Sequence, residues 1–146
     1  MGDQRGFRKL VVWHLADDLA VEMVSTAKSL AGLDRVMASQ LIRAAMSTPA
    51  NVAEGYARAS TREYLHHLSI ARGSLAETDY YIHFLNRCKL INSQRNSELS
   101  DLVNKVHGHL YALIRSLAKK LDGTKRQDYL LRETPDEPYG DPEDDL

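Results

Sequence analysis

Cysteine is nearly missing from this chain of 146 residues, with Cys88 its single copy. One cysteine excludes an internal disulfide framework and suits a reducing compartment. Long apolar runs are also missing. No stretch approaches the roughly 18 consecutive apolar residues that cross a bilayer as a helix. The opening MGDQRGFRKL lacks the apolar core of a signal peptide, and Gly6 stands where the myristoylation pattern asks for serine or threonine. The expectation is a cytoplasmic protein with no membrane partner. Proline is scarce, and three of its four copies crowd into RETPDEPYGDPEDDL, leaving Pro49 alone in the body of the chain. No segment alternates apolar and polar residues with the period of a strand, and no internal repeat is visible.

What is present suffices for one domain with a core, since 43% of the residues are hydrophobic and 27% charged. The net charge of −1 conceals a division. Residues 1–126 carry 18 Lys and Arg against 12 Asp and Glu, a net +6, whereas residues 127–146 carry one Arg against eight acids, a net −7. Proline and like charge together oppose packing, so 127–146 reads as a disordered acidic tail on a mildly basic body, 1–126.

The body divides into four helical stretches. The first, from about Leu10 to Ala31, has a stripe of Val12, Ala16, Leu19, Met23, Ala27 and Leu30, and Gly32 ends it. The second spans about Asp34 to Ala57. The third opens on Ser60-Thr61-Arg62-Glu63, a capping box, and buries Tyr64, Leu68, Ala71, Leu75, Ile82 and Leu85. In the fourth, Leu99, Val103, Val106, Leu110, Leu113, Leu117 and Leu121 alternate steps of four and three, and Gly123 stops it. Four long helices with short connections predict an all-α, antiparallel, up-down-up-down four-helix bundle.

Pro49 falls inside the second stretch. Ile42, Ala45, Pro49, Val52 and Tyr56 keep one helical phase through it, which favours a single helix kinked at Pro49. The competing reading is a fresh start, with Thr48 as N-cap and Pro49 at the first helical position. An interior proline costs roughly 3 kcal/mol, so packing must hold such a bend in place.

Catalytic signals are weak. Glu63-x-x-His66 has the spacing of di-iron bundles, but those need the motif twice and two further glutamates. His66 and His67 are adjacent, and His107 and His109 lie two apart, so neither pair makes a ligand face on a helix. Cys88 has neighbouring cations in Arg87 and Lys89 but no histidine spaced to activate it. No phosphate loop, HExxH or G-x-S-x-G occurs. The expectation is a protein that is not an enzyme, with no cofactor and no metal.

A polar stripe on the second helix is more informative. Gln40, Arg43, Ser47, Asn51, Glu54 and Arg58 run along one side of it, and the third helix offers Gly73, Ser74 and Glu77 as a matching surface. Gly73 and Ser74 are expected to permit close helix approach, and Glu77 to accept from Arg43. A mid-helix glycine costs about 1 kcal/mol against alanine, which a packing role would justify.

Taken in order, Phe7, Leu10, Val12, Trp13, Gln40, Arg43, Ala44, the run Ser47-x-Pro49-x-Asn51-Val52-Ala53-Glu54-Gly55, Arg58, Leu65, Ala71, Gly73, Ser74 and Glu77 resemble the four helix bundle protein family. That family is also named for intervening sequences in genes for large-subunit ribosomal RNA. It is related in fold to the accessory variability determinant of diversity-generating retroelements. The resemblance covers roughly residues 7–121. It implies a small up-down bundle that assembles with itself into a closed ring, commonly a pentamer, in a family for which no enzymatic activity is established. The acidic tail is the largest departure from the pattern.

Two functions follow as expectations. One is a homo-oligomeric ring that binds RNA or DNA. Its candidate phosphate contacts are Arg5, Arg8, Lys9, Arg58, Arg62, Lys119, Lys120, Lys125 and Arg126, with no aromatic platform beside them. The other is a protein-interaction scaffold whose ring and tail recruit a partner protein, with Gln127-Asp128-Tyr129-Leu130-Leu131 as a docking patch. In both, Pro49 is expected to bend the helix so that Asn51, Glu54 and Arg58 meet a neighbouring helix or subunit.

Overall fold

The computed structural model describes residues 5–30 and 32–121. The acidic tail, Lys125, Arg126 and the stop at Gly123 lie outside them. A 3₁₀ turn over Gly6–Lys9 precedes four helices: α1 (Val11–Ser29), α2 (Arg35–Ala57), α3 (Thr61–Arg87) and α4 (Ser93–Ala118). Among the described residues there is no strand. The helices pack in a cycle, α1 on α2, α2 on α3, α3 on α4 and α4 on α1, with the most extensive contact between α2 and α3. No helix is long and apolar enough to cross a membrane among these residues.

α2, α3 and α4 each start where a side chain satisfies orphan amides, whereas α1 starts at Leu10 without a side-chain cap. Asp34 Oδ1 accepts from the Val36 and Met37 amides at 2.6 and 3.4 Å. Ser60 Oγ accepts from the Glu63 amide at 3.1 Å. The Glu63 carboxylate accepts from the Ser60 hydroxyl at 3.2 Å and not from the Ser60 amide, so only one half of the expected capping box forms. Asn92 Oδ1 accepts from the Arg95 amide at 2.8 Å, so α4 begins six residues before its apolar stripe. At the far end of α3, Lys89 adopts φ 56°, with the Lys89 amide bonded to the Asn86 carbonyl and the Leu90 amide to the Leu85 carbonyl. That is a Schellman stop without the usual glycine.

The core runs the length of the bundle and includes Leu19, Met23, Leu41, Val52, Leu65, Leu68, Leu75, Ile82, Leu85, Leu99, Val106 and Leu110, each almost wholly buried. Burial of one such leucine or isoleucine stabilises the fold by about 1.5–3 kcal/mol. The seam departs from the sequence stripes in a regular way. Ile114 is buried while Leu113 is half-buried; Leu41 and Ala44 are buried while Ile42 and Tyr56 are half-buried; Leu65 is buried while Tyr64 is half-buried. A 3.6-residue helix drifts about 20° per heptad from a strict alternation of threes and fours, so the buried line shifts by one residue along a long helix.

α2 passes through Pro49 as one helix, capped at Asp34, so Thr48 is not an N-cap and the fresh-start reading does not apply. Pro49 and Thr48 are both buried. Thr48 Oγ1 has no hydrogen-bond partner there.

α1 and α4 are tied by Arg95. Its guanidinium donates to Glu22 Oε2, to the Glu22 carbonyl at 3.0 Å, to Thr26 Oγ1 at 2.9 Å and to Glu98 Oε2 at 3.2 Å. Desolvation opposes the Arg95 charge, but the bonds to Glu22 and Glu98 outweigh it and hold the group more firmly charged than usual.

Candidate functional site

The polar stripe of α2 lies against α3 of the same chain. Ser74 Oγ donates to Ser47 Oγ at 2.8 Å. Asn51 Nδ2 donates to the Ser47 carbonyl at 2.8 Å and to Ser47 Oγ at 3.1 Å. Asn51 Oδ1 lies 3.3 Å from His67 Nδ1; an amide oxygen only accepts, so Nδ1 carries the proton. Glu54 Oε2 is 3.9 Å from the same nitrogen, and Glu54 Oε1 accepts from Arg58 at 2.7 Å within α2. Asn51 therefore meets a neighbouring helix as expected, whereas Glu54 and Arg58 chiefly satisfy each other.

The close approach occurs at Gly55. A Cβ there would fall 2.9 Å from both His67 Cβ and Tyr64 Cδ2 and 3.2 Å from the Tyr64 carbonyl. At Gly73 the expectation fails: the residue is exposed and an added Cβ would meet nothing within 4 Å. The glycine on α2, not the one on α3, sets the spacing of this pair.

Beyond Ser47 the seam opens into a groove of about 320 Å³ lined by Gln40, Arg43, Ala44, Ser47, Ser74 and Glu77. Glu77 accepts from the Tyr81 hydroxyl at 2.9 Å, and not from Arg43, which is exposed. Gln40 Oε1 lies 3.1 Å from the same hydroxyl. A phenol has one proton, so the Gln40 amide, turned over, donates to the phenol oxygen. Burial first, then the bond to Glu77, pushes the Tyr81 phenol up. Further along, Asp34, Val36, Met37, Gln40, Tyr80, Tyr81 and Phe84 line a more apolar groove of about 340 Å³. Val36 is 67% exposed there and Tyr80 58%.

A second cluster gathers where α2 ends and α3 begins. The 3₁₀ turn packs on α2, with Gly6 at φ 63° facing the Tyr56 ring. Lys9 Nζ sits 5.4 Å from the Tyr56 ring centre and Arg8 Cζ 4.7 Å from that of Phe7. Phe7 stacks obliquely on Trp13 with centroids 4.9 Å apart, and Tyr56 meets Tyr64 edge-on at 6.1 Å. Arg58 and Arg62 flank the α2–α3 turn, and Arg5 leads into the 3₁₀ turn. Rings therefore lie beside Arg8 and Lys9, where the sequence led to no expectation of an aromatic platform. The rings are scattered along the sequence, and only the folding of the 3₁₀ turn onto α2 assembles them. The eight-residue spacing of Tyr56 and Tyr64 across a helix turn was the one signal available.

Lys119 and Lys120 cap α4, about 36 Å along its axis from the Arg95 tie at 1.5 Å per residue. The Tyr64 hydroxyl is buried without a hydrogen-bond partner, and burial, aided by Tyr56, pushes its phenol up to about 12. Between α3 and α4, burial pushes the Asp79 carboxyl up, while His83 and His107 pull it partly back. Cys88 is an exposed, free thiol. Trp13 packs against Phe7 and His14 at the edge of the core and takes no part in the seam.

Comparison with known proteins adds the following. The sequence model of a family described as "23S rRNA-intervening sequence protein" matches residues 8–112. A crystal structure of a protein with unknown function from the S23 ribosomal protein family of Bacteroides thetaiotaomicron is similar at 25% identity and a TM-score of 0.67. The match covers 71% of this chain and 98% of that one. No curated protein matches the chain.

Proposed function

The chain belongs to the 23S rRNA-intervening sequence protein family, and on that premise we propose that it is a non-enzymatic, homo-oligomeric bundle that binds RNA or DNA through its basic, aromatic end. The observation that carries this is the contact of Arg8 with the Phe7 ring and of Lys9 with the Tyr56 ring, at the end of the bundle where Arg58 and Arg62 flank the α2–α3 turn and Arg5 leads into the 3₁₀ turn. Cations supply the phosphate contacts, and half-buried rings beside them offer surfaces on which bases stack.

The bundle is antiparallel in this reading. As the α2 residue rises from Gln40 to Ser47 to Asn51, its α3 partner falls from Tyr81 to Ser74 to His67. The start of α4 is likewise tied to the later half of α1 by Arg95. Lys119 and Lys120 then come to the same end as Arg8 and Arg62 and enlarge the basic surface. Pro49 bends α2 so that Asn51 and Gly55 seat on α3 while the earlier half of the seam stands open. Self-association uses the open side, where Val36 and Tyr80 leave apolar surface in water. A ring, such as a pentamer, multiplies the basic end without changing its design. The same groove favours a second reading, a scaffold in which ring and tail recruit a partner protein there.

The test is binding of labelled RNA and DNA across a salt series, with the assembly mass measured alongside. Expected are affinity that falls steeply with log salt, by about 0.7 per neutralised phosphate on single strands, and weakening by Arg8→Glu with Lys9→Glu. No binding at low salt, with the assembly intact, leaves the scaffold reading in its place.

A further inference from the structure

We propose that the acidic segment 127–146 folds back onto the basic, aromatic end of its own chain and competes there with nucleic acid. The competition rests on the reading given under Proposed function; the docking itself does not. Charge and reach select this occupant. The segment carries a net −7, and the end displays Arg8, Lys9, Arg58, Arg62, Lys119 and Lys120, of which Arg58 is already paired with Glu54. The described chain stops at Leu121, directly after Lys119 and Lys120, and six positions, about 21 Å at most, lead from Leu121 to the start of the segment at Gln127. The apolar groove of Val36 and Tyr80 suits it poorly. That groove contains Asp34, and it lies at the end of the bundle where α2 begins and α3 closes.

A tether of this length holds the segment at an effective concentration of about 1 mM. If the free segment binds the basic end with a Kd of about 0.1 mM, the tethered one lowers affinity for a competing polyanion about tenfold. Attraction of this kind fades as salt shortens the Debye length below about 8 Å.

The experiment uses the full chain and a variant with the eight acids neutralised: D128N, E133Q, D136N, E137Q, D141N, E143Q, D144N and D145N. All buried residues of the described chain lie between Val12 and Ala118, so the variant leaves the core intact. Trp13, the only tryptophan, stacks on Phe7 beside Arg8 and reports docking without nucleic acid. Its emission should shift as salt rises in the native chain and stay constant in the variant. The variant should bind a labelled single-stranded RNA about tenfold more tightly and with a steeper salt slope, since the native chain exchanges one polyanion for another. Identical Trp13 behaviour in the two chains overturns the docking, whatever RNA does. A Trp13 difference with equal RNA affinity overturns the competition. A Trp13 difference with no RNA binding by either chain upholds the docking and removes the nucleic-acid reading instead.

Discussion

The two halves of the α2–α3 seam are built from one polar stripe and behave differently. From Ser47 to Gly55 the helices are drawn together: a hydroxyl pair, an amide bonded to both helices and a glycine with no room for a methyl group. From Arg43 back to Asp34 the same stripe faces a groove, and its glycine counterpart, Gly73, faces open space. The difference teaches that small and polar residues at helical spacing do not by themselves mean contact. What decides is whether a bulky partner stands opposite. Tyr64 and His67 stand opposite Gly55, and no atom comes within 4 Å of a Cβ at Gly73. One half is structural. The other half stands open.

Gly55→Ala is the sharpest way to break the closed half. The methyl group meets His67 Cβ and the Tyr64 carbonyl, both anchored to the α3 backbone, so the helices must part. Overpacking costs about 1–3 kcal/mol, partly offset by about 1 kcal/mol of helix propensity, and a net loss of up to about 2 kcal/mol is expected in urea unfolding. An unchanged midpoint would mean that the seam yields freely. Ser47→Ala comes next. It removes the acceptor shared by Ser74 and Asn51 while leaving Asn51 its carbonyl partner, and should cost about 1 kcal/mol by the same measurement.

The contrast also marks how far the sequence could be read. Helix number, boundaries within a few residues and the core stripes were legible because burial in a bundle imprints a period near 3.6 on every helix. The stripe of Gln40, Ser47 and Asn51 was legible for the same reason. Which glycine is crowded was not, because crowding depends on what the other helix places opposite, and both Gly55 and Gly73 sit at helical spacing. The Phe7, Trp13, Tyr56 and Tyr64 cluster was hidden for a related reason. Its rings come from four elements, and the 3₁₀ turn that brings Phe7 in has too few residues to show a period. Arg95 was likewise invisible, since its partners Glu22 and Thr26 lie on another helix.

Gly73→Ala tests the open half and should move the other way. With no atom near the new methyl group, only the propensity gain remains, and a stabilisation of up to about 1 kcal/mol is expected. The paired result, loss at Gly55 and gain at Gly73, separates the two halves in one experiment. A loss at Gly73 in the oligomer, absent at high dilution, would instead show a second subunit packing on that face.

The smallest effect at neutral pH belongs to Tyr64→Phe, and its interest lies at alkaline pH. The buried Tyr64 hydroxyl has no partner, so its removal forfeits no hydrogen bond and relieves a desolvated polar group, a change within about 1 kcal/mol. In the native chain the phenol titrates at about 12 when folded, against about 10 unfolded. Below pH 10 both states keep the proton and stability is unaffected. Between pH 10 and 12 the unfolded state releases it while the folded state does not, so stability falls as pH rises. Tyr64→Phe removes that share of the fall. Every other phenol is common to the two proteins, so the difference between the two curves isolates Tyr64. Parallel curves through this range would mean that the Tyr64 hydroxyl is solvated, and that the closed half of the seam is looser than its geometry.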